Sequence, residues 1–381
     1  MKHIFTPFLV LLLSLSIFSC IKDEPKNNEC DILSAWVEGS EYSTLFHHPG
    51  QMRIDNILSD QTEIVFTVKS TIDLPEIPIY FNITPGATIE PSSGSLQNFS
   101  NGPVTYTVTS EDGAYKRTYR VSFQEAEMPS FNFHFEYVDT AHTMAGSGYY
   151  HVFYELDSNN TRQNIWATGN PGVGIVRYDY TPEQFTVYST PNGYQGKGVC
   201  LNTQDAGPLG QMMHKPIAAG SLFLGSFDLN QVLVNALRAT RFGIPIDKEP
   251  VRVTGYYKYQ PGEKFTDANM DEVPGRTDQA NIYAVFFRNQ DADGNSVVLY
   301  GDNVLSSDLI VSKAQVASLP ATNEWTRFEM FFEGSAADPA ILANMGYSFT
   351  LVFSSSKDGD NFEGAIGSTL YIDEVEVEFK N

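Results

Sequence analysis

The chain has 381 residues, 46 of them acidic and 24 basic, for a formal charge of −22. So acidic a surface favours solubility and disfavours nucleic acid and anionic lipid as partners, and it suits an anionic polysaccharide only where a local basic patch exists. Three cysteines and no zinc-type spacing leave no sequence signature of a metal centre, while 20 tyrosines and 26 phenylalanines supply residues that serve both as strand formers and as stacking surfaces.

The N-terminus reads as an export signal. Lys2 and His3 precede an apolar run from Phe8 to Phe18, the length of a signal-peptide core and too short to span a bilayer as a helix. Ser19-Cys20 then resembles a bacterial lipobox. That resemblance implies that residues 1–19 are a signal peptide and that Cys20 carries the lipid, with residues 20–30 as a lipidated tether. An ordinary secretory signal with an incidental Cys20 is the alternative. One acyl chain anchors marginally and several anchor stably, so the resemblance implies a membrane partner through a multi-chain lipid anchor. Lys22-Asp23-Glu24 resembles the export signal of Bacteroidetes lipoproteins, which implies an outer-membrane protein displayed at the cell surface; a charged, solvated tether is the plainer reading.

Residues 31–126 read as all-β. Ile64, Phe66 and Val68 alternate with Val65, Thr67 and Lys69, and the same period recurs in Tyr106–Thr109 and Tyr119–Phe123. Asp112-Gly113 between the last two is a hairpin signal. Short strands punctuated by prolines predict a small immunoglobulin-like β-sandwich. The stretch from Ile83 to Gly94, with Phe99, Val104–Gly113 and Tyr119-Arg120-Val121, resembles a recurrent Bacteroidetes sandwich module, which implies a spacer role. His47-His48 is the single histidine pair; neighbours on a strand point to opposite faces, so a solvated loop is the better reading than a chelate.

Glu125–Ser130 marks a domain boundary, and residues 127–381 again read as strands. Phe131, Phe133, Phe135 and Tyr137 alternate, and further strands are expected at 251–259, 282–288, 297–299, 309–316, 325–332, 347–354 and 370–379. One short helix is expected from Leu229 to Leu237, with Asp228 as N-cap. The fold class is therefore all-β, an immunoglobulin-like β-sandwich followed by a larger jelly-roll β-sandwich with one short helix. Cys30 and Cys200 fall in different domains and are expected to be unpaired.

The blocks Trp166–Asn170, Arg241–Pro245, Gly255–Gly262, Ile282-Tyr283-Ala284 and Leu370–Val375 resemble the putative carbohydrate metabolism domain of Bacteroidetes surface proteins. The resemblance covers roughly residues 129–379 and implies a fold like that of carbohydrate-binding modules and an association with glycans. Sugar recognition combines an aromatic platform with planar hydrogen-bonding groups at its rim. The candidates are Trp166 with Asn170, and the block Tyr256, Tyr257, Lys258 and Tyr259. Tyr257 and Tyr259 share one strand face, Tyr256 and Lys258 the other, and the sequence leaves open which face is core. Arg241 and Asp278 are expected to supply rim bonds and Tyr283 to join the ligand site, whereas Trp325 reads as core.

A catalytic alternative needs two carboxylates about 5–5.5 Å or 6.5–9.5 Å apart. Asp179, Glu183, Asp267, Asp271, Glu272 and Asp278 are available, but no sequence feature pairs any two, and no nucleophile motif is present. Asp291–Asn295 begins like an EF-hand, yet Ser296 stands where glycine is required and Asp302 where glutamate is, so it reads as a hairpin. By analogy with jelly-roll modules that hold a structural calcium, Glu136 and Asp373 are candidate metal ligands; no other cofactor is expected. The function expected is non-catalytic glycan binding at the surface. The alternatives are a glycoside hydrolase or lyase, and a structural or adhesive subunit working with partner surface lipoproteins.

Overall fold

A computed structural model describes residues 26–39, 41–46, 49–69, 71, 74–125, 130–144, 146–157, 160, 162–212, 214–232, 234–291 and 295–380. The signal segment, Cys20, Lys22-Asp23-Glu24, His47-His48 and residues 292–294 of the Asp291–Asn295 hairpin lie outside them. Among the described residues no helix is long and apolar enough to cross a membrane.

The N-terminal sandwich packs two four-stranded sheets. One runs Arg53–Asp55, Ile32–Val37, Glu76–Ile83, Leu96–Asn98; the other runs Glu63–Val68, Lys116–Glu125, Val104–Thr109, Thr88–Glu90. Period-two alternation drives this arrangement, because Ile64, Phe66 and Val68 point inward with Tyr106, Val108, Tyr119 and Val121 and all are fully buried. The Asp112-Gly113 turn forms as read: Gly113 takes a φ of +73°, Asp112 Oδ1 accepts the Ala114 N–H at 2.9 Å, and Thr109 pairs with Lys116.

The C-terminal domain is a second, larger sandwich. Its first sheet runs Leu299–Tyr300, Thr240–Phe242, Ser221–Phe227, Tyr347–Ser354, Asn281–Arg288, Ile310–Gln315, Glu333–Gly334. The second runs Val187–Thr190, Gly198–Asn202, Thr369–Phe379, Pro250–Gln260, Thr322–Phe331, with Asn132–Phe133 paired to Thr369–Phe379. The core between them joins Val199, Val253 and Ile372 of one sheet to Leu222, Ile282 and Leu351 of the other. The first sheet's outer face is covered too, since Phe223, Tyr283, Val285 and Phe287 pack under Phe242, Leu299 and Val304.

Three local expectations are corrected. The strand expected from Phe131 to Tyr137 is only Asn132–Phe133, because Phe135 turns left-handed (φ +52°) and drives its ring against Phe153 and Trp166. The helix expected over 229–237 is a single 3-10 turn at Leu229–Gln231 and a short helix at Ala236–Ala239, interrupted by Asn235 in extended backbone. Its apolar residues satisfy a sheet-covering segment as well as they would a helix face. Short α-helices also occur at Asn170–Val173, Gly207–Met212 and Pro339–Leu342, so the expectation of one helix undercounts them.

Cys30 and Cys200 are both buried and free, one in each sandwich. The sandwiches touch where Leu58 of the first packs against Ala141, Tyr150 and Phe185 of the second.

Candidate functional site

The strand Pro250–Gln260 settles its own two faces. Val253, Gly255, Tyr257 and Tyr259 are buried in the core, while Tyr256 and Lys258 face outward and are half-buried. Register extends this outward face across the sheet: Lys258 lies opposite Tyr371, Tyr371 opposite Cys200, and Cys200 opposite Tyr188. At about 4.8 Å per strand the row spans roughly 14 Å. The hydroxyls of Tyr188 and Tyr371 both meet the Cys200 thiol, whose pKa burial pushes up; burial also lifts Tyr371 to about 12.

Two further rings complete the surface. Tyr194, on the hairpin loop joining Val187–Thr190 to Gly198–Asn202, stacks on Tyr256 with ring centres 3.7 Å apart and planes 8° from parallel. Trp325 stands at 79° to Tyr194, 6.4 Å away. The Lys258 ammonium sits 4.6 Å from the Trp325 ring centre and 5.1 Å from that of Tyr371, in cation–π range of both. Tyr194 stays 41% exposed although one of its faces is stacked on Tyr256. Tyr194 and Trp325 thus form a floor and a wall beside a cation.

The loop that carries Tyr194 is fastened at both ends of its turn. Asp373 Oδ2 accepts the N–H of Gln195 at 2.9 Å, and Glu136 Oε1 accepts that of Lys197 at 2.9 Å. Lys197 Nζ returns a bond to the Glu136 carbonyl at 2.9 Å, and Gly193 N–H closes onto Gly196 O at 3.0 Å. The glycines are required. A Cβ on Gly193 would come within 2.7 Å of Asp373 Oδ2, and Gly196 takes a φ of +59° with its missing Cβ pointing into Glu136 Oε1.

Glu136 and Asp373, the expected calcium ligands, do not fit that role. Calcium needs several converging oxygens, but these carboxylates face backbone N–H groups, Asp373 Oδ1 also accepting that of Glu374 at 2.8 Å. Among the described residues no cluster of three or more histidine, cysteine or carboxylate side chains is arranged to hold a metal. Asp373 is fully buried, and burial lifts its carboxyl to about 6 against the lowering effect of the loop N–H bonds.

The other expected ligand residues separate. Trp166 is only 6% exposed, wedged against Phe133 and Phe135, and its indole N–H donates to Glu155 at 3.0 Å. That buried carboxyl is pushed up to about 7. Asn170 is buried and bonds the backbone of Val187 with both ends of its amide. Asp278 is buried as a hub, its Oδ2 accepting from Ser356 Oγ at 2.6 Å, Ser368 Oγ at 2.7 Å and the Ala365 N–H at 2.7 Å. Tyr283 is buried on the opposite sheet's covered face. Tyr257 and Tyr259 are core. Five of these six offer no surface to a ligand, and Trp166 keeps only an edge on the cleft that Arg241 also lines; Tyr256 and Lys258 meet on one face elsewhere.

Trp325 moves the other way, from expected core to the half-buried surface. Tyr188, Tyr194 and Tyr371 were not among the expected site residues. Tyr371 could have been found, since it falls on the charged side of the alternation Leu370, Ile372, Val375, Val377. Tyr194 could not, because its partner lies in a strand distant in sequence.

Comparison with known proteins agrees with this architecture. Residues 134–378 match the family described as "Putative carbohydrate metabolism domain", and residues 45–122 match "SGBP, N-terminal". No curated protein matches the chain. Among solved structures, a putative glycoside hydrolase from Bacteroides thetaiotaomicron VPI-5482 is 34% identical, with a TM-score of 0.74 over 94% of this chain and 99% of its own. Another, from Bacteroides vulgatus ATCC 8482, is 39% identical with a TM-score of 0.60 over 66% of this chain and 100% of its own. The chain, an N-terminal β-sandwich followed by a larger one with an aromatic outer face, belongs to the putative carbohydrate metabolism domain family.

Proposed function

We propose that this protein is a cell-surface lipoprotein, anchored through Cys20, that binds a glycan on the outer face of its C-terminal sandwich without cleaving it. The observation that carries the reading is the corner made by Tyr194, stacked on Tyr256, and Trp325 at a right angle to it. A pyranose ring has an apolar face that packs on an aromatic ring, while its hydroxyls need donors and acceptors at the rim. Lys258 supplies donors from the same face. The carboxylates bordering the corner already have other work: Glu136 and Asp373 hold the loop, and Glu374 pairs with His134 at 3.0 Å. That favours binding over the acid-plus-base or acid-plus-nucleophile pair of a hydrolase.

Affinity electrophoresis and a glycan array with the mature, unlipidated chain test the reading. Retardation by at least one polysaccharide, abolished by Tyr194→Ala with Trp325→Ala, is expected. No binding to any plant, host or microbial glycan removes it. For the anchor, Cys20→Ala should release the protein from the membrane fraction, and protease applied to intact cells should degrade the native form.

A hydrolytic reading is favoured by the names of the two Bacteroides relatives, 34% and 39% identical, both called putative glycoside hydrolases. Release of new reducing ends from a bound polysaccharide would replace the non-catalytic reading.

A further inference from the structure

A cleft of about 710 Å³ lies between the two sandwiches, away from the aromatic face. Its size is that of a small-molecule site, and domain seams are where such sites concentrate. The contact of Leu58 with Ala141, Tyr150 and Phe185 runs beside it and fixes one wall against the other.

The chemistry of the walls is unusual for this chain. Six carboxamides line the cleft: Gln51, Asn56, Gln61 and Gln124 from the first domain, Gln163 and Asn164 from the second. The charges balance, with Arg53, Arg162 and Arg241 against Asp55, Asp60 and Glu63, inside a protein of net charge −22. Arg53 is paired with Asp55 at 2.7 Å and Arg162 with Asp139 at 2.8 Å. Arg241 makes no ion pair or side-chain hydrogen bond among the described residues, and the side chains of Gln61 and Gln124 make no hydrogen bond there. His151 also lines the cleft; its Nδ1 accepts the Ser189 N–H at 3.0 Å, which leaves the ring proton on Nε2. Phe227 and Ile244 provide apolar surface.

We propose that this cleft is a second carbohydrate site, one that takes an uncharged oligosaccharide segment between the two domains. Carboxamides and a free guanidinium are planar groups that can donate or accept in pairs, as adjacent sugar hydroxyls require. A lining whose charges balance gives a polyanion no net attraction, and the density of polar groups disfavours a wholly apolar ligand. The N-terminal sandwich is then one wall of a binding site as well as a spacer. The inference rests on the glycan-binding reading above but uses different residues.

Hydrogen-exchange mass spectrometry of the mature chain, with neutral oligosaccharides of xylose, glucose, mannose, galactose and arabinose, and with galacturonic acid oligomers as the charged arm, tests it. Protection at 51–63 and 162–164, separate from any at 188–197, is expected with a neutral oligomer. Arg241→Ala and Gln61→Ala, on opposite walls, should each weaken that event by about tenfold, the loss of one or two hydrogen bonds, and leave binding at Tyr194 unchanged. Protection confined to 188–197 overturns the cleft and leaves the aromatic face standing. Stronger cleft protection by the uronic acid oligomers overturns the neutral ligand class, and no protection anywhere removes both sites.

Discussion

The carboxylate of Asp373 and the backbone N–H of Gln195 lie 2.9 Å apart although 178 residues separate them in the chain. This bond ties the last long strand of the C-terminal sandwich to the hairpin loop that lays Tyr194 on Tyr256. Asp373 is thus a positioning residue for the aromatic corner, and its two oxygens are committed to N–H groups at 2.9 and 2.8 Å.

Asp373→Ala leaves the Gln195 N–H without its acceptor and frees the loop. A cost of about 1–3 kcal/mol is expected for the orphaned bonds, together with faster amide exchange at Gln195 and loss of tyrosine signal in near-UV circular dichroism. Unchanged exchange at Gln195 would show that the loop holds itself without the strand.

Gly196→Ala has a sharper steric consequence. The φ of +59° costs an alanine about 1 kcal/mol, and its Cβ would press into Glu136 Oε1. Loss of about 2 kcal/mol or more in urea denaturation is expected, with Glu136→Ala partly rescuing the double variant. Absence of rescue would mean that the backbone angle alone carries the cost.

Burial raises Glu155 to about 7 and Asp373 to about 6 in the folded protein. The folded state therefore binds more protons than the unfolded one between the ordinary carboxyl range and these values. Stability is greatest below that range and falls as pH rises through about 6 to 7. A raised carboxyl pKa of this size corresponds to roughly 3 kcal/mol at most. Urea midpoints should be higher at pH 5 than at pH 8, and Glu155→Gln, which keeps an acceptor for the Trp166 indole, should flatten the profile. His151, whose pKa burial lowers, acts in the opposite sense over this range, so a Glu155→Gln profile as steep as the wild type's is the result that contradicts the Glu155 assignment.

The two faces of one strand predict opposite phenotypes. Tyr257→Ala or Tyr259→Ala should cost about 3–5 kcal/mol, as large buried aromatics do. Tyr194→Ala and Trp325→Ala should cost within about 1 kcal/mol each while abolishing retardation by the polysaccharide that binds. Equal destabilisation by all four would place Trp325 back in the core.

The sequence by itself determined the all-β class, the two sandwiches in their order and the Asp112-Gly113 hairpin, because period-two alternation and turn residues are local properties of the chain. It also carried the family resemblance, in the block that contains Tyr256 and Lys258. Only the tertiary structure decided which face of that block is core, since alternation fixes two faces but not which one meets another sheet. Burial then withdrew Asn170, Asp278 and Tyr283 from the surface, left Trp166 only an edge on the inter-domain cleft, and delivered Trp325 to the outer face. The same long-range register turned Glu136 and Asp373 from expected metal ligands into acceptors for a loop. Tyr194 was beyond reach for the same reason, because its stacking partner, Tyr256, becomes a neighbour only once the sheet has formed.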